Sequence, residues 1–181
     1  MKAYISMLRG INVGGQKTIR MEELRSLYEE LGFDRVRTYV QSGNVVFNSE
    51  EQESAKLAKR IEAHIEQSYG FSVPVFIREA HDLERILSNN PFLKGRHEDT
   101  SKLHVTFLYK APMGIDWSNL NIQHDEADEF SIGEQEIYLF CPNGYGKTKL
   151  SNATFERKLN MLMTTRNWNT VNALYSMAVE R

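Results

Sequence analysis

The residues best suited to chemistry lie between Pro142 and Trp168. Pro142-Asn143-Gly144-Tyr145-Gly146-Lys147-Thr148-Lys149-Leu150-Ser151-Asn152 follows a strand-like run from Glu136 to Cys141 and precedes a helical run. Thr164-Thr165-Arg166-Asn167-Trp168 lies further on. Backbone amides in a glycine-bearing loop, a helix N-terminus and lysines together favour an anion. From Lys147 to Arg166 there are five basic residues (Lys147, Lys149, Arg157, Lys158, Arg166) and one acid, Glu156. From Asp125 to Glu136 there are six acids and no Lys or Arg. A turn built for its geometry alone, and two ordinary solvated faces, explain the same residues without a ligand.

Gly146-Lys147-Thr148 invites comparison with a P-loop. That motif needs a glycine at the position held by Cys141, and Leu150 and Ser151 intervene before the helix cap, so the comparison fails. Cys141 is the single cysteine and ends an apolar strand, which excludes an internal disulfide and favours a buried, unreactive thiol. The five histidines (His64, His81, His97, His104, His124) show no metal-ligand spacing, and no metal or cofactor is expected. Ser42, Thr148 and Ser151 are candidate hydroxyls without an evident base.

The elements that must position these residues follow from periodicity. Ala3 to Leu8 is a buried strand, and Met21, Leu24, Leu27, Tyr28 and Leu31 mark a helix stopped by Gly32. Arg35–Val40 and Val45–Phe47 are β-rich around Gln41-Ser42-Gly43-Asn44, a hairpin signal. Leu57, Ile61 and Ile65 mark a second helix, and Val73 to Ile77 a further strand. The order β-α-β-β-α-β predicts a ferredoxin-like lobe over residues 1–78. Its first two strands would run parallel with the third between them. The polar loops Arg9-Gly10-Ile11-Asn12-Val13-Gly14-Gly15 and Gln41–Asn44 would then meet at one rim.

Residues 79–181 predict a related but less regular α+β lobe, packed with the first as one unit. A short helix runs near His81–Leu87 and a strand over Leu103–Tyr109. Pro112 to Asn121 is a loop with room for one helical turn. Glu129–Ile132 and Gln135–Phe140 form a hairpin about Gly133. Helices follow near Ala153–Leu159 and Trp168–Val179.

The chain has 181 residues, 41% hydrophobic and 25% charged, and a formal net charge of -2, which is globular composition without a global basic field. No apolar run approaches the ~20 residues that span a bilayer. The start of the chain is too short in apolar residues for a signal peptide, so a cytoplasmic protein without a membrane partner is expected. Tyr4-Ile5-Ser6-Met7-Leu8 resembles an aromatic RNA-binding strand, but Asn44 and Val46 stand where the third strand would need aromatics. The composition carries no signal for oligomeric state.

Four segments carry a resemblance. Met7–Gly15, Arg37–Phe47, Pro142–Asn152 and Thr164–Trp168 look like the signature segments of a bacterial family catalogued as domain of unknown function 1697, in the same order and nearly end to end. The resemblance implies a small soluble α+β protein of two ferredoxin-related lobes. It implies no activity and assigns no catalytic residue.

These readings converge on a binding protein for a phosphate-bearing small molecule or nucleotide, in a cleft between lobes. The expected ligand contacts are Arg9, Asn12, Gly14, Gly15, Gln41, Ser42, Asn44, Asn143, Gly144, Gly146, Lys147, Lys149 and Arg166. An enzyme of phosphoryl or acyl transfer on the same residues is the second reading. Nucleic-acid binding is the third, disfavoured by the acidic run.

Overall fold

The computed structural model describes residues 1–180. Contacts divide the chain into two compact units: Met1–Glu84 together with the chain from Ala173 onward, and Arg85–Asn172. The division therefore falls at two places, not once after residue 78. The returning segment is held within the first unit. There the Arg37 guanidinium donates to the Glu180 carboxylate at 2.6 Å and to the Met177 carbonyl.

The first unit runs β1 (Lys2–Leu8), α1 (Met21–Glu30), β2 (Asp34–Tyr39), β3 (Asn44–Ser49), α2 (Ser54–Tyr69) and β4 (Val75–Glu79), and α3 (Ala80–Ser88) begins in it. Its sheet has the order β2-β3-β1-β4. β1 is antiparallel to both β3 and β4, and β2 is antiparallel to β3, so β1 and β2 run parallel. Alternation sends Tyr4, Ser6 and Leu8 of β1 to one face. There Leu24, Leu27 and Tyr28 of α1 and Leu57, Ile61 and Ile65 of α2 pack in one buried cluster with Tyr4 and Leu8. The spacings are those of one helix stripe. Ser6, the polar residue on this face, is satisfied by the Tyr28 hydroxyl at 2.7 Å. Glu22 and Glu23 stand in the first turn of α1, where the helix dipole favours them. Gly70 ends α2 in the left-handed region at φ 76° and donates its N–H to the Glu66 carbonyl at 2.8 Å.

The second unit contains β5 (Leu103–Leu108), β6 (Glu129–Ile132), β7 (Glu136–Phe140), α4 (Asn152–Leu159) and β8 (Met163–Asn167), and α5 (Trp168–Val179) begins in it. Its strand order, β6-β7-β5-β8, repeats that of the first unit. The correspondence extends to single bonds. Leu8 N–H meets the Gly43 carbonyl and Leu108 N–H the Gln135 carbonyl, while Arg9 N–H meets Pro74 and Tyr109 N–H meets Leu162. β8 is the element that periodicity did not announce. Its Thr164, Thr165 and Arg166 read as a polar motif, although Thr164 and Arg166 are buried. The units differ in one connection. Where α1 stands in the first unit, the connection from β5 to β6 has only a 3-10 turn at Trp117–Asn119. Trp117, Leu120 and Ile122 cover the sheet face there, beside Phe155 of α4.

Among the glycines of the first unit, Gly43 is the one with neighbours close to where a Cβ would stand. Its φ is +81°, and a Cβ would lie 2.6 Å from Ile11 Cδ1 and 2.9 Å from Leu8 Cβ. Gly43→Ala is expected to cost about 2 kcal/mol or more, from strain and overpacking together. A lowered urea midpoint at unchanged slope is the measurement that checks it.

Candidate functional site

The loop residues expected to contact a ligand fall into two groups, one in each unit. In the first, parallel β1 and β2 end at the same edge, so the loop after β1 and the β2–β3 turn meet. Asn12, at φ 54°, clamps them. Its Nδ2 donates to the Gln41 carbonyl at 2.8 Å and the Ile19 carbonyl at 2.9 Å, and its Oδ1 accepts the Ile19 N–H at 2.9 Å. Asn44 is fully buried, and its Nδ2 donates to the Tyr39 carbonyl and to Ser42 Oγ, both at 2.9 Å. The carboxamides of Asn12 and Asn44, expected to orient a ligand, thus hold backbone. Gln41, Gly14 and Gly15 are exposed, as is Ser42, and Arg9 is half-buried. Val40 beside them adopts φ 51°, rare for a β-branched residue, so this turn is strained.

In the second unit the loop after β7 curls into a 3-10 turn at Tyr145–Lys147. Of the glycine amides expected to cradle an anion, that of Gly144 is bonded within the loop. The N–H of Gly144 donates to the Cys141 carbonyl at 3.0 Å, that of Lys147 to Gly144 at 3.1 Å, and that of Thr148 to Tyr145 at 3.3 Å. Thr148 Oγ1 donates to Asp128 Oδ2 at 2.5 Å and accepts the Leu150 N–H at 3.1 Å. Asp128 is 4% exposed. With both roles of the hydroxyl taken, the pair is a tether between loops. Ser151 caps α4 by accepting the Thr154 N–H at 3.3 Å.

Arg166 stands within β8. It is 6% exposed, opposite Val105 in the β5–β8 ladder, and its Nη1 donates to Thr164 Oγ1 at 2.8 Å and the Thr165 carbonyl at 3.0 Å. Burial lowers its pKa to about 10, with Tyr145 acting weakly in the other direction. It remains charged at neutral pH, and its guanidinium is committed to the strand that carries it. Asn143, Gly146, Lys147 and Lys149 keep exposed side chains or backbone.

One of these residues lines a groove. Lys149 faces Asn121, Ile122 and Gln123 of the β5–β6 connection, and Thr154, Arg157 and Lys158 of α4, around a groove of about 420 Å³. That volume lies in the range of small-molecule sites. Ile122, 5% exposed, forms an apolar floor. His124 Nδ1 lies 2.7 Å from the Ile122 carbonyl, so this nitrogen carries a proton and braces the segment. Three cations thus share one concavity with two carboxamides and a hydroxyl. The counter-charge nearby is Asp125, whose Oδ1 is 3.9 Å from Lys149 Nζ. A cavity of about 330 Å³ in the first unit is lined by three acids of α1, Glu22, Glu23 and Glu30, and one cation, Arg20, which pairs with Glu23. The cluster of basic residues pointed to this region. Asn121, Gln123 and Thr154 gave no signal of their own, because the β5–β6 connection has no periodicity to place it.

Next to the groove loop, His104 stacks on Tyr145 with ring centroids 4.8 Å apart. Its Nδ1 is buried without a well-formed hydrogen bond. Burial pushes the imidazole below its usual 6.5, and the nearby Lys102 carbonyl opposes this only in part. The Cys141 thiol is likewise pushed up to about 11 by burial, so it is not a nucleophile at neutral pH. Among the described residues no group of His, Cys, Asp and Glu is placed to hold a metal ion. No helix among them is long and apolar enough to cross a membrane.

The fold defines a two-unit α+β protein with a basic groove in its second unit. The chain belongs to the family described as protein of unknown function (DUF1697), whose model matches residues 1–138. Among solved structures it is similar to the conserved bacterial protein SP0830 from Streptococcus pneumoniae. The identity is 25%, each chain is covered to 98%, and the TM-score is 0.73. None of the curated proteins matches it.

A buried neutral His104 has a consequence for stability. The unfolded chain takes a proton near pH 6.5 that the folded chain resists, so the stability His104 contributes is full above that pH and is lost as pH falls below it. The urea midpoint is expected to fall between pH 7 and pH 5. His104→Phe, which keeps a ring against Tyr145, should fall less over the same window. Equal falls in both proteins would remove His104 as the cause.

Proposed function

We propose that this protein binds a phosphate-bearing small molecule or nucleotide in the groove of its second unit. The observation that carries the reading is the convergence of Lys149, Arg157 and Lys158 on one concavity of about 420 Å³. Arg157 offers a planar fork that suits phosphate oxygens, and the two lysines add point charges. Asn121 and Gln123 both donate and accept, which suits the hydroxyls or base edge of the remainder, and Ile122 supplies an apolar floor. The reading keeps Lys149 from the residues that the sequence singled out, and moves the weight from the loop amides to α4. It describes a binding protein. The hydroxyl nearest the groove, on Thr154, is 3.2 Å from Ser151 Oγ and has no base beside it among the described contacts.

Two finer statements belong with this reading. The strand order of both units is that of ferredoxin-like sheets, here with a loop in place of one crossover helix. A cytoplasmic location suits a site for phosphorylated metabolites and a single cysteine with no partner for a disulfide.

The test is a thermal-shift series with inorganic phosphate, sugar phosphates and nucleoside monophosphates. A probe at 100 times its dissociation constant should add about 2.7 kcal/mol, a rise in melting temperature of about 5–10 °C at this size. In the Arg157→Ala, Lys158→Ala double variant the rise should disappear while the probe-free melting temperature changes little, because both side chains are exposed. A rise that survives in the double variant, or no rise with any probe, would overturn the proposal.

A further inference from the structure

Resting on that reading, we infer that Thr148 is a positioning residue of the groove. Its hydroxyl fixes the backbone that carries Lys149, and so sets where that ammonium meets a bound phosphate. Thr148 does not itself line the groove, whereas Lys149 does. Residues 148–151 belong to no strand or helix, so no ladder of backbone bonds holds the lysine. Its side chain is 66% exposed. A lysine stem is long and flexible, and what its ammonium can reach depends on where its backbone is held.

The Thr148 hydroxyl makes bonds on both sides of Lys149. It donates to Asp128 Oδ2 at 2.5 Å and accepts the Leu150 N–H at 3.1 Å. The second bond closes a tight loop around Lys149, a local pattern that threonine hydroxyls favour outside regular structure. The first ties that loop to a firm anchor. Asp128 is 4% exposed, and its N–H donates to the Asp125 carbonyl at 3.0 Å. It stands immediately before β6, where Glu129 pairs with Phe140 of β7. A hydroxyl that donates to a carboxylate makes one of the stronger hydrogen bonds. After Lys149, Leu150 is fully buried in one cluster with Phe155 of α4.

The chain that carries Asn121 and Gln123 runs on into the same anchor. One hydroxyl therefore ties the lysine's side of the groove to the carboxamide side. A groove fastened in this way is ordered before an anion enters, which lowers the ordering cost of binding. Without the hydroxyl, Lys149 must be ordered by the ligand itself.

The experiment measures binding of inorganic phosphate at pH 8, well below the melting temperature, by chemical-shift titration of the full chain. Thr148→Val keeps the shape and every charge, so a change in affinity does not come from net charge. It should weaken phosphate by about threefold to tenfold, the size of ordering one long side chain. Thr148→Ser restores the hydroxyl and should bind within about twofold of the parent. In Lys149→Ala, where Arg157 and Lys158 still hold the anion, adding Thr148→Val should change affinity by less than about twofold, because the residue it positions is gone. A lower melting temperature alone would not produce that coupling. Thr148→Ala, in which water can take the hydroxyl's place, serves if the valine variant does not fold, with the same expected loss and the same coupling. An equal loss with and without Lys149, no loss in either background, or a serine variant as weak as valine overturns the role of Thr148 and leaves the anion site standing. Failure of phosphate to bind parent and variants alike overturns the anion site, and this inference with it.

Discussion

A four-stranded sheet whose central strand is bonded on both sides has no free edge at its middle. What remains to be satisfied is its face, and the crossover connections must cover it. In the first unit both connections are helices, and Leu24, Leu27, Tyr28, Leu57, Ile61 and Ile65 pack in one buried cluster with that face. In the second unit the chain spends its first crossover on a loop with a single 3-10 turn. Trp117, Leu120 and Ile122 do the covering that a helix does in the first unit, and a groove is left between the loop and α4. The candidate site is thus a consequence of the same topology run with one helix fewer.

Charge then separates the two units' concavities. Arg157 and Lys158 lie in the last turn of α4, where the helix dipole favours cations, so they are stabilised where they stand before any ligand is considered. Glu22 and Glu23 are favoured for the converse reason at the start of α1. Helix polarity therefore favours Arg157 and Lys158 in the second unit's groove and Glu22 and Glu23 in the first unit's cavity. The buried cation Arg166 follows a different logic. It is paid for by Thr164 and the Thr165 carbonyl inside β8, and its charge is spent on the fold.

The strands and helices of the first unit were legible because each rests on neighbours a few residues apart. Leu24, Leu27 and Tyr28 declare a helix face by their spacing alone, and the β-α-β-β-α-β order then implies that the loop after β1 meets the β2–β3 turn. The Asn12 contact to the Gln41 carbonyl is that meeting. β8 was hidden because its buried positions are Thr164 and Arg166, residue types that read as surface. The glycine-rich loop showed flexibility and charge, but flexibility does not say whether amides point outward or bond among themselves.

By itself, then, the sequence determined the two-unit α+β plan, the rim of the first unit and the region where cations gather, because periodicity, turn residues and charge density are local properties. Only the tertiary structure decided which of those cations share a concavity. Arg166 and Lys149 are both basic and 17 positions apart, yet one is sealed in a strand and the other opens onto a groove beside Asn121 and Gln123. That outcome depends on what the β5–β6 connection leaves uncovered, a property of packing between segments distant in the chain, which no local pattern encodes.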